Sequence, residues 1–217
     1  VTEEGNFYAQ NVETGPQLEK LMEQLRQELG TNPPLPGAYT PKKNDLCAAK
    51  FVDGEWYRAK VEKVQGNTVH LLYVDYGNRE VTGTNNLATL PALYHTLPEQ
   101  ARLYSLACIQ LPADEEAKQD AVEALTHDTL NKQFLLNVEY KNGAQECVSL
   151  SNPETKDDVA QSLLSDGLVL IEARRERRLA KLVATYQKAQ DKAKQARLNL
   201  WRYGDFTGDD AKEFGFN

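Results

Sequence analysis

Cysteine and histidine are scarce in this sequence, and they are the residues that most often build disulfide frameworks and transition-metal sites. Its 217 residues include three of each. The cysteines are odd in number, widely spaced and without a Cys-x-x-Cys pair, and the histidines lack ligand spacing. The residues concerned are Cys47, Cys108, Cys147, His70, His95 and His127. We therefore expect a reducing compartment, no metal site and no cofactor.

Long apolar runs are also absent. No stretch of about 18 apolar residues and no signal-peptide pattern occurs, so we expect no membrane span. The chain begins with Val1 in place of methionine, which suggests a piece of a longer protein. Its composition, with 41% hydrophobic and 26% charged residues, is typical of a globular protein with room for one large or two small domains.

Net positive charge is missing too, since the formal net charge is −7. This argues against a nucleic-acid footprint over the whole surface and favours a basic partner, such as an arginine-rich peptide. Residues 174–202 are the exception, with ten basic and two acidic residues, whereas residues 1–173 hold 14 basic and 26 acidic. The basic segment carries a helical apolar stripe and predicts an amphipathic helix. Its basic face is either solvated or contacts RNA, and the lack of interleaved aromatic residues favours the solvated face.

The N-terminal region predicts a strand over residues 5–13 and then a helix. Thr14 and Gln17 have capping-box spacing, and Gly30 is expected to end the helix. The Pro-rich segment 32–37 follows as a stiff linker. The apolar residues of the helix recur at helical spacing and are expected in a core: they are Leu18, Leu21, Met22, Leu25 and Leu29.

Closely spaced turn signals between residues 46 and 90 predict a small antiparallel barrel of about five strands. Beyond Pro98 the pattern becomes mixed. It predicts strands at 101–111, 133–140 and 146–150, a helix at 114–131, a short helix ending at Gly167 and a long final helix. An oligonucleotide-binding-type (OB-fold) barrel needs five strands, so we expect the N-terminal segment to supply a missing one. The expected fold class is mainly β with α.

Four aromatic residues fall at the ends of the predicted barrel strands: Phe51, Tyr57, Tyr73 and Tyr76, with Asn78 just beyond them. Aromatic rings gathered at one rim form a pocket that attracts a cation whose charge is spread over methyl groups. The alternative is ordinary core packing, because aromatic residues are enriched in strands for that reason alone. Trp56 and its neighbour Tyr57 must point to opposite faces of the strand, so only one of the two can line the rim.

The motifs Trp56-Tyr-Arg-Ala59 and Val74-Asp-Tyr-Gly-Asn78 resemble the Tudor domain. With its flanks, and with a segment at 198–205 similar to the end of staphylococcal-nuclease-like domains, the chain resembles the extended Tudor module of Tudor staphylococcal nucleases. This resemblance implies a Tudor barrel at 38–96 inserted into a nuclease-like domain of residues 1–37 and 97–217. It implies that symmetric dimethylarginine is bound by a cage, and that Asp75 braces its loop. The implied cage residues are Phe51, Tyr57, Tyr73, Tyr76 and Asn78, and Trp56 is left to packing.

The same resemblance implies the partners. These are methylated arginine–glycine-rich tails of Piwi-type Argonaute proteins or spliceosomal Sm proteins, which would make the chain a monomeric adaptor in small-RNA silencing and RNA processing. The expected location is the cytoplasm, with a nuclear pool. The residue pattern alone leaves asymmetric dimethylarginine and dimethyl-lysine open as ligands.

A metal-dependent nuclease is the rival hypothesis, and it requires carboxylates for the metal and arginines for the phosphoryl group. The strand at 146–150 has Glu146 and no arginine, and the loop 152–156 has Asn152 where a carboxylate would be needed. Asp120 and Glu123 share a helix face, which is typical of a solvated face. We therefore predict no catalytic or metal-binding residue here, although the resemblance implies nuclease activity in other domains of the full-length family.

Overall fold

A computed structural model describes residues 1–207. The chain forms two compact units, one of residues 8–103 and one of residues 1–7 together with 104 onwards. The first, called here the barrel unit, is therefore inserted into the sequence of the second. The opening strand β1 (Phe7–Ala9) lies where the chain passes from one unit to the other. It is shorter than the strand predicted over residues 5–13, because a 3-10 turn begins at Val12.

Helix α1 (Gly15–Thr31) follows and places its apolar stripe in a core, as predicted. The capping box is not formed, since the Thr14 side chain accepts no cap hydrogen bond; its hydroxyl lies 3.0 Å from the Asn11 carbonyl and 2.6 Å from Gln100 Oε1, to either of which it can donate. Gly30 does not end the helix, which continues to Thr31. The buried side of α1 packs against residues of the barrel sheet and its exit: Ala48, Ala88, Leu90 and Tyr94.

The barrel unit contains one five-stranded antiparallel sheet, in agreement with the prediction. Its strands, in the spatial order β5-β4-β3-β2-β6, pair with their neighbours throughout. They are β2 (Leu46–Lys50), β3 (Trp56–Gln65), β4 (Thr68–Tyr73), β5 (Arg79–Gly83) and β6 (Leu87–Thr89). Small and β-branched residues, with Tyr73, fill a second buried cluster on this sheet: Cys47, Ala49, Ala59, Val61, Val69, Leu71 and Leu87.

The division into units differs from the boundary predicted at residue 37, which placed α1 with the nuclease-like part. The Leu25 side chain is fully buried in the cluster that α1 shares with the barrel sheet. A single helix buries one stripe, and here that stripe is used by the barrel unit. The helix therefore enlarges the core of a barrel whose small size alone would give it only marginal stability.

The second unit combines two sheets with three helices. A four-stranded sheet has the order β1-β7-β10-β9, with β7 and β10 parallel, and β8 pairs with β11. The N-terminal strand thus joins this sheet, as expected. The elements are β7 (Arg102–Leu106), β8 (Ile109–Gln110), α2 (Glu115–Thr129), β9 (Leu135–Asn142), β10 (Gln145–Ser151), α3 (Val159–Ser165), β11 (Leu170–Ile171) and α4 (Ala180–Gln195). The mixture of sheets and helices confirms the predicted fold class, mainly β with α.

Two details of the second unit depart from the sequence-based expectation. The strand predicted over 101–111 is divided in two, because Cys108 adopts a left-handed backbone conformation with φ of 58°. The final helix is preceded by a 3-10 turn that begins at Arg177. No helix within residues 1–207 is long and apolar enough to cross a bilayer.

The basic segment 174–202 forms α4 and its flanks. Most of the predicted apolar stripe is at least partly buried, although Ala196 is exposed. Several of the basic groups already have partners within the second unit. Arg174 stacks on the Tyr140 ring at 3.9 Å, and Lys194 lies 2.9 Å from Asp205.

An aromatic cage on a braced loop

The five predicted site residues surround one cavity of about 170 Å³ in the barrel unit. Phe51 directly follows β2, Tyr57 lies near the start of β3 and Tyr73 ends β4. Tyr76 and Asn78 lie in the loop between β4 and β5. The cavity therefore forms where three neighbouring strands end.

The aromatic rings meet nearly at right angles, which makes a box and not a stack. The Tyr57 ring is inclined by 87° to Phe51, by 82° to Tyr73 and by 87° to Tyr76, with centroid distances of 6.0, 5.9 and 5.4 Å. Phe51 and Tyr73 are 5.2 Å apart at 75°. Edge-to-face contacts of this kind are favourable for aromatic pairs and leave ring faces free to contact a cation.

The aromatic residues that form the walls of the cavity differ in solvent exposure. Tyr73 is 1% exposed and belongs to the buried cluster of the sheet, whereas Tyr76 is 47% exposed. The choice between core packing and a ligand pocket is therefore not exclusive, because Tyr73 serves both. Its removal would leave a hole in the core, whereas removal of Tyr76 would only open the cavity.

Two wall hydroxyl groups donate hydrogen bonds to carboxylates outside the cavity lining. Tyr57 Oη donates to Asp53 Oδ2 at 2.5 Å, and Tyr73 Oη donates to Glu80. Burial, followed by the bond to Asp53, raises the pKa of Tyr57 to about 12, and burial also raises the pKa of Tyr73. Both phenols therefore stay protonated at neutral pH.

The loop 73–78 is closed by main-chain hydrogen bonds. Tyr73 N–H donates to the Asn78 carbonyl at 2.9 Å, and Gly77 N–H donates to the Tyr73 carbonyl at 2.7 Å. Gly77 has φ of 87°, and a Cβ there would clash with the side chain of Tyr8. Only glycine suits this position, because the backbone is left-handed and the Tyr8 ring lies against it.

Asp75 anchors the loop 73–78 through a buried ion pair with Arg58 of β3. Arg58 Nε donates to Asp75 Oδ2 at 2.9 Å and Nη2 donates to Oδ1 at 2.6 Å, and each side chain is 1% exposed. The Gln100 N–H also donates to Asp75 Oδ1, at 3.1 Å, and the Gln10 amide donates to the Asp75 carbonyl. Asp75 therefore supports the loop and does not line the cavity, as expected.

Asn78 presents a free amide to the cavity. Its side chain is exposed and makes no hydrogen bond among the residues that the structure describes, while its carbonyl accepts from Tyr73. The loop is thus held by the main chain of Asn78, and its side-chain oxygen and N–H₂ remain available to a ligand.

Sequence reasoning missed several supporting residues, with Arg58 foremost. The signal was present, because a buried aspartate requires a cationic partner and Arg58 immediately follows a cage residue in a strand. Arg26 of α1 was also missed. Its guanidinium lies 4.7 Å from the Tyr57 ring centroid and 3.3 Å from Glu55. Trp56 packs against the α1 cluster, as predicted.

The features weighed for a nuclease have structural roles in the second unit. Asn152 Oδ1 accepts from the N–H groups of Glu154 and Thr155, which makes the loop an Asx turn. Glu146 lies 3.8 Å from Lys141. Within residues 1–207, no group of three or more histidine, cysteine or acidic side chains is placed to hold a metal ion.

A barrel with an aromatic cage at its rim, joined to a split second unit of sheets and helices, defines the extended Tudor domain. The Tudor domain family matches residues 1–108. The extended Tudor domain of Drosophila melanogaster Tudor-SN (p100) superposes with a TM-score of 0.90 at 46% identity, covering 93% of this chain and 94% of that one. The human TDRD1 extended Tudor domain, in complex with a symmetrically dimethylated peptide, gives 0.70 at 28% identity, covering 79% and 85%.

Sequence similarity extends over almost the whole chain. Staphylococcal nuclease domain-containing protein 1 of Drosophila melanogaster is 48% identical over 99% of this chain, which spans 23% of that relative. The chain belongs to the extended Tudor domains of the Tudor-SN type, and the resemblance inferred from the two motifs is confirmed. The matched region is a reader module, and no catalytic family is indicated for it.

The ion pair beneath the loop leads to a stability prediction. Asp75→Asn removes one charge of a fully buried pair and leaves Arg58 uncompensated, so we expect a loss of about 3–5 kcal/mol in the free energy of unfolding. Urea denaturation of both proteins measures it. Glu62→Gln is the control, because Glu62 pairs with Arg79 at 2.8 Å on the surface, where loss of a pair costs at most about 1 kcal/mol. Equal, small losses in both variants would contradict the bracing role.

Proposed function

We propose that this chain binds symmetrically dimethylated arginine in arginine–glycine-rich tails of partner proteins. The observation that carries the proposal is the cavity itself, with four aromatic rings set nearly at right angles and, at its edge, the Asn78 amide, which has no partner within residues 1–207. A methylated guanidinium is a diffuse, flat cation, which suits ring faces on several sides.

The chemistry of the lining favours a methylated guanidinium over the unmodified one. An unmodified guanidinium has five N–H donors that require acceptors, whereas the cavity is lined by four aromatic residues and one amide. Methyl groups replace some of those donors and contact the rings. The remaining N–H groups can donate to the side-chain oxygen of Asn78. The dimethylated peptide bound by the human TDRD1 domain supports the symmetric form.

The charge of the chain supports a basic partner. Residues 1–173 carry 26 acidic against 14 basic residues, so a tail containing several arginines is attracted before it reaches the cage. We propose Piwi-type Argonaute or spliceosomal Sm proteins as the source of such tails. The chain would then act as a monomeric adaptor in small-RNA silencing and RNA processing, in the cytoplasm and a nuclear pool.

RNA binding by the basic segment 174–202 has less support. Arg174 is paired with Glu176 and stacked on Tyr140, and Lys194 is paired with Asp205. These charges already serve the second unit, in keeping with the solvated-face interpretation. No observation in the described residues favours RNA as a second function.

One arginine–glycine peptide titrated in four methylation states tests the proposal directly. We expect the symmetrically dimethylated peptide to bind most tightly and the unmodified peptide most weakly, because each methyl group removes an N–H that the rings cannot satisfy. Isothermal titration calorimetry gives the four dissociation constants. Equal affinities for all four peptides would show that the cage does not read methylation.

Tyr76→Ala is the cleanest removal of a cage wall. Tyr76 is 47% exposed, so we expect an unchanged melting temperature together with a loss of peptide binding of about 1 kcal/mol or more. Tyr73→Ala is less informative, because its buried ring also supports the core. Tyr203→Ala, at a residue 89% exposed in the second unit, is the matched control. Unaltered affinity in the Tyr76 variant would exclude Tyr76 from the site.

Asn78→Ala tests how arginine is distinguished from lysine. A hydrogen bond to a charged group contributes about 1.5–3 kcal/mol, and a guanidinium offers N–H groups that trimethyl-lysine lacks. We expect dimethylarginine binding to weaken about tenfold or more, with little change for a trimethyl-lysine peptide and no change in melting temperature. Equal losses for the two ligands, or a lower melting temperature, would assign Asn78 a structural role only.

A further inference from the structure

Two of the four cage rings have hydroxyl groups held by carboxylates, and the other two do not. Tyr57 donates to Asp53 at 2.5 Å and Tyr73 donates to Glu80. Phe51 has no hydroxyl, and the Tyr76 hydroxyl has no hydrogen bond among the described residues. Neither carboxylate lines the cavity. The two carboxylates therefore make no direct contact with a ligand in the cavity, and they influence it only through the tyrosine rings.

A phenol that donates to a carboxylate differs electrostatically from a phenol in water. The hydrogen bond draws the proton toward the acid and leaves more electron density on the oxygen and the ring. Attraction between a cation and a ring is electrostatic, so a richer ring face attracts the cation more strongly. Burial of Tyr73, which is 1% exposed, reduces the screening of this effect.

We propose that Asp53 and Glu80 are specificity-determining residues that make the cage select ligands with a full positive charge, by polarising Tyr57 and Tyr73 through their hydroxyl groups. This inference rests on the proposed function and deepens it. Under this proposal, two parts of the site select the ligand by different properties. The carboxylates recognise the charge of the ligand, and Asn78 recognises its N–H groups.

The surrounding charges indicate which carboxylate acts more strongly. Tyr57 also has the Arg26 guanidinium 4.7 Å from its ring, and Arg26 is paired with Glu55 at 3.3 Å. Arg26 partly offsets the negative charge of Asp53, which is itself exposed. Glu80 is half-buried and has no ion pair within residues 1–207. The larger effect is therefore expected at Glu80.

Orientation of the rings is the competing explanation for both hydrogen bonds. Amide substitutions separate the two, because Glu80→Gln and Asp53→Asn keep an oxygen that accepts from the tyrosine while removing the charge. If the acids only orient the rings, these variants bind like the original protein. If the acids supply charge, the variants lose affinity for every cation.

The experiment measures three cationic probes against both amide variants. The probes are a symmetrically dimethylated arginine peptide, a trimethyl-lysine peptide and tetramethylammonium, followed by NMR shifts of cage residues. We expect each probe to bind about three- to tenfold more weakly to Glu80→Gln, with a smaller loss for Asp53→Asn. Glu13→Gln, which removes an equal charge from an exposed position in the same unit, is the control and should change none of them.

A double-mutant cycle locates the effect in the hydroxyl group. Tyr73→Phe keeps the ring and removes the donor, so we expect it to weaken tetramethylammonium about as much as Glu80→Gln. The combination should be no weaker than either single variant. Additive losses would overturn the route through the hydroxyl, and unchanged affinities in Glu80→Gln and Asp53→Asn at unchanged melting temperature would overturn the proposal.

The two levels of the proposal can fail separately. If tetramethylammonium binds at the cage and weakens in the carboxylate variants, but the four methylated and unmodified arginine peptides bind equally, the proposed function is wrong and the inference stands. If methylarginine peptides bind selectively but the variants match the original protein, the inference is wrong and the function stands. If no cation binds, both are wrong.

Discussion

The buried ion pair between Arg58 and Asp75 is the interaction on which the loop beside the aromatic cavity depends. A guanidinium has five N–H donors, and all five of those on Arg58 are used. Two reach Asp75, and the others reach the carbonyl oxygens of Tyr94, Leu97 and Pro98. A buried charge with unsatisfied donors would destabilise the fold. The pair is tolerated because every donor of Arg58 has an acceptor. These hydrogen bonds also join strand β3, the loop 73–78 and the segment that leaves the barrel.

The alternation of side chains along β3 connects this pair to the cage. Tyr57 lines the cavity, and the next residue, Arg58, must point to the opposite side of the strand. The same two adjacent residues thus supply a wall of the site and the anchor of its loop. Asp75 and Tyr76 repeat this arrangement within the loop, since one is buried under it and the other half-exposed in the cavity. Movement of the anchor would displace two of the four rings.

The sequence predicted the barrel strands and the core face of α1, because each depends on local periodicity. The five residues around the cavity were implied by the resemblance of two motifs to the Tudor domain, since their place at strand ends also allowed ordinary core packing. It did not predict that Tyr73 is core and cage wall together, since periodicity describes which face a residue occupies and not how deep it lies. The division into units differs from the predicted boundary at residue 37 for a related reason. The stripe containing Leu25 shows that a helix face is buried, but not against which sheet. Hydrogen bonds between residues that are distant in sequence, such as that from Gln10 to Asp75, have no pattern along the chain.

The packing of the Tyr8 ring against Gly77 determines how much of the chain must be transferred if the cage is grafted into another protein. Tyr8 comes from β1, far ahead of the barrel in sequence, and its ring fixes the backbone between two cage residues. Gln10 and Gln100 hold the same loop from segments on either side of the barrel strands. A graft of the five strands and their connecting loops would carry every side chain that lines the cavity, but it would lack the residues that hold the loop in place. The segment needed to keep the cage intact is therefore longer than the barrel strands, and it extends at least from Tyr8 to Gln100.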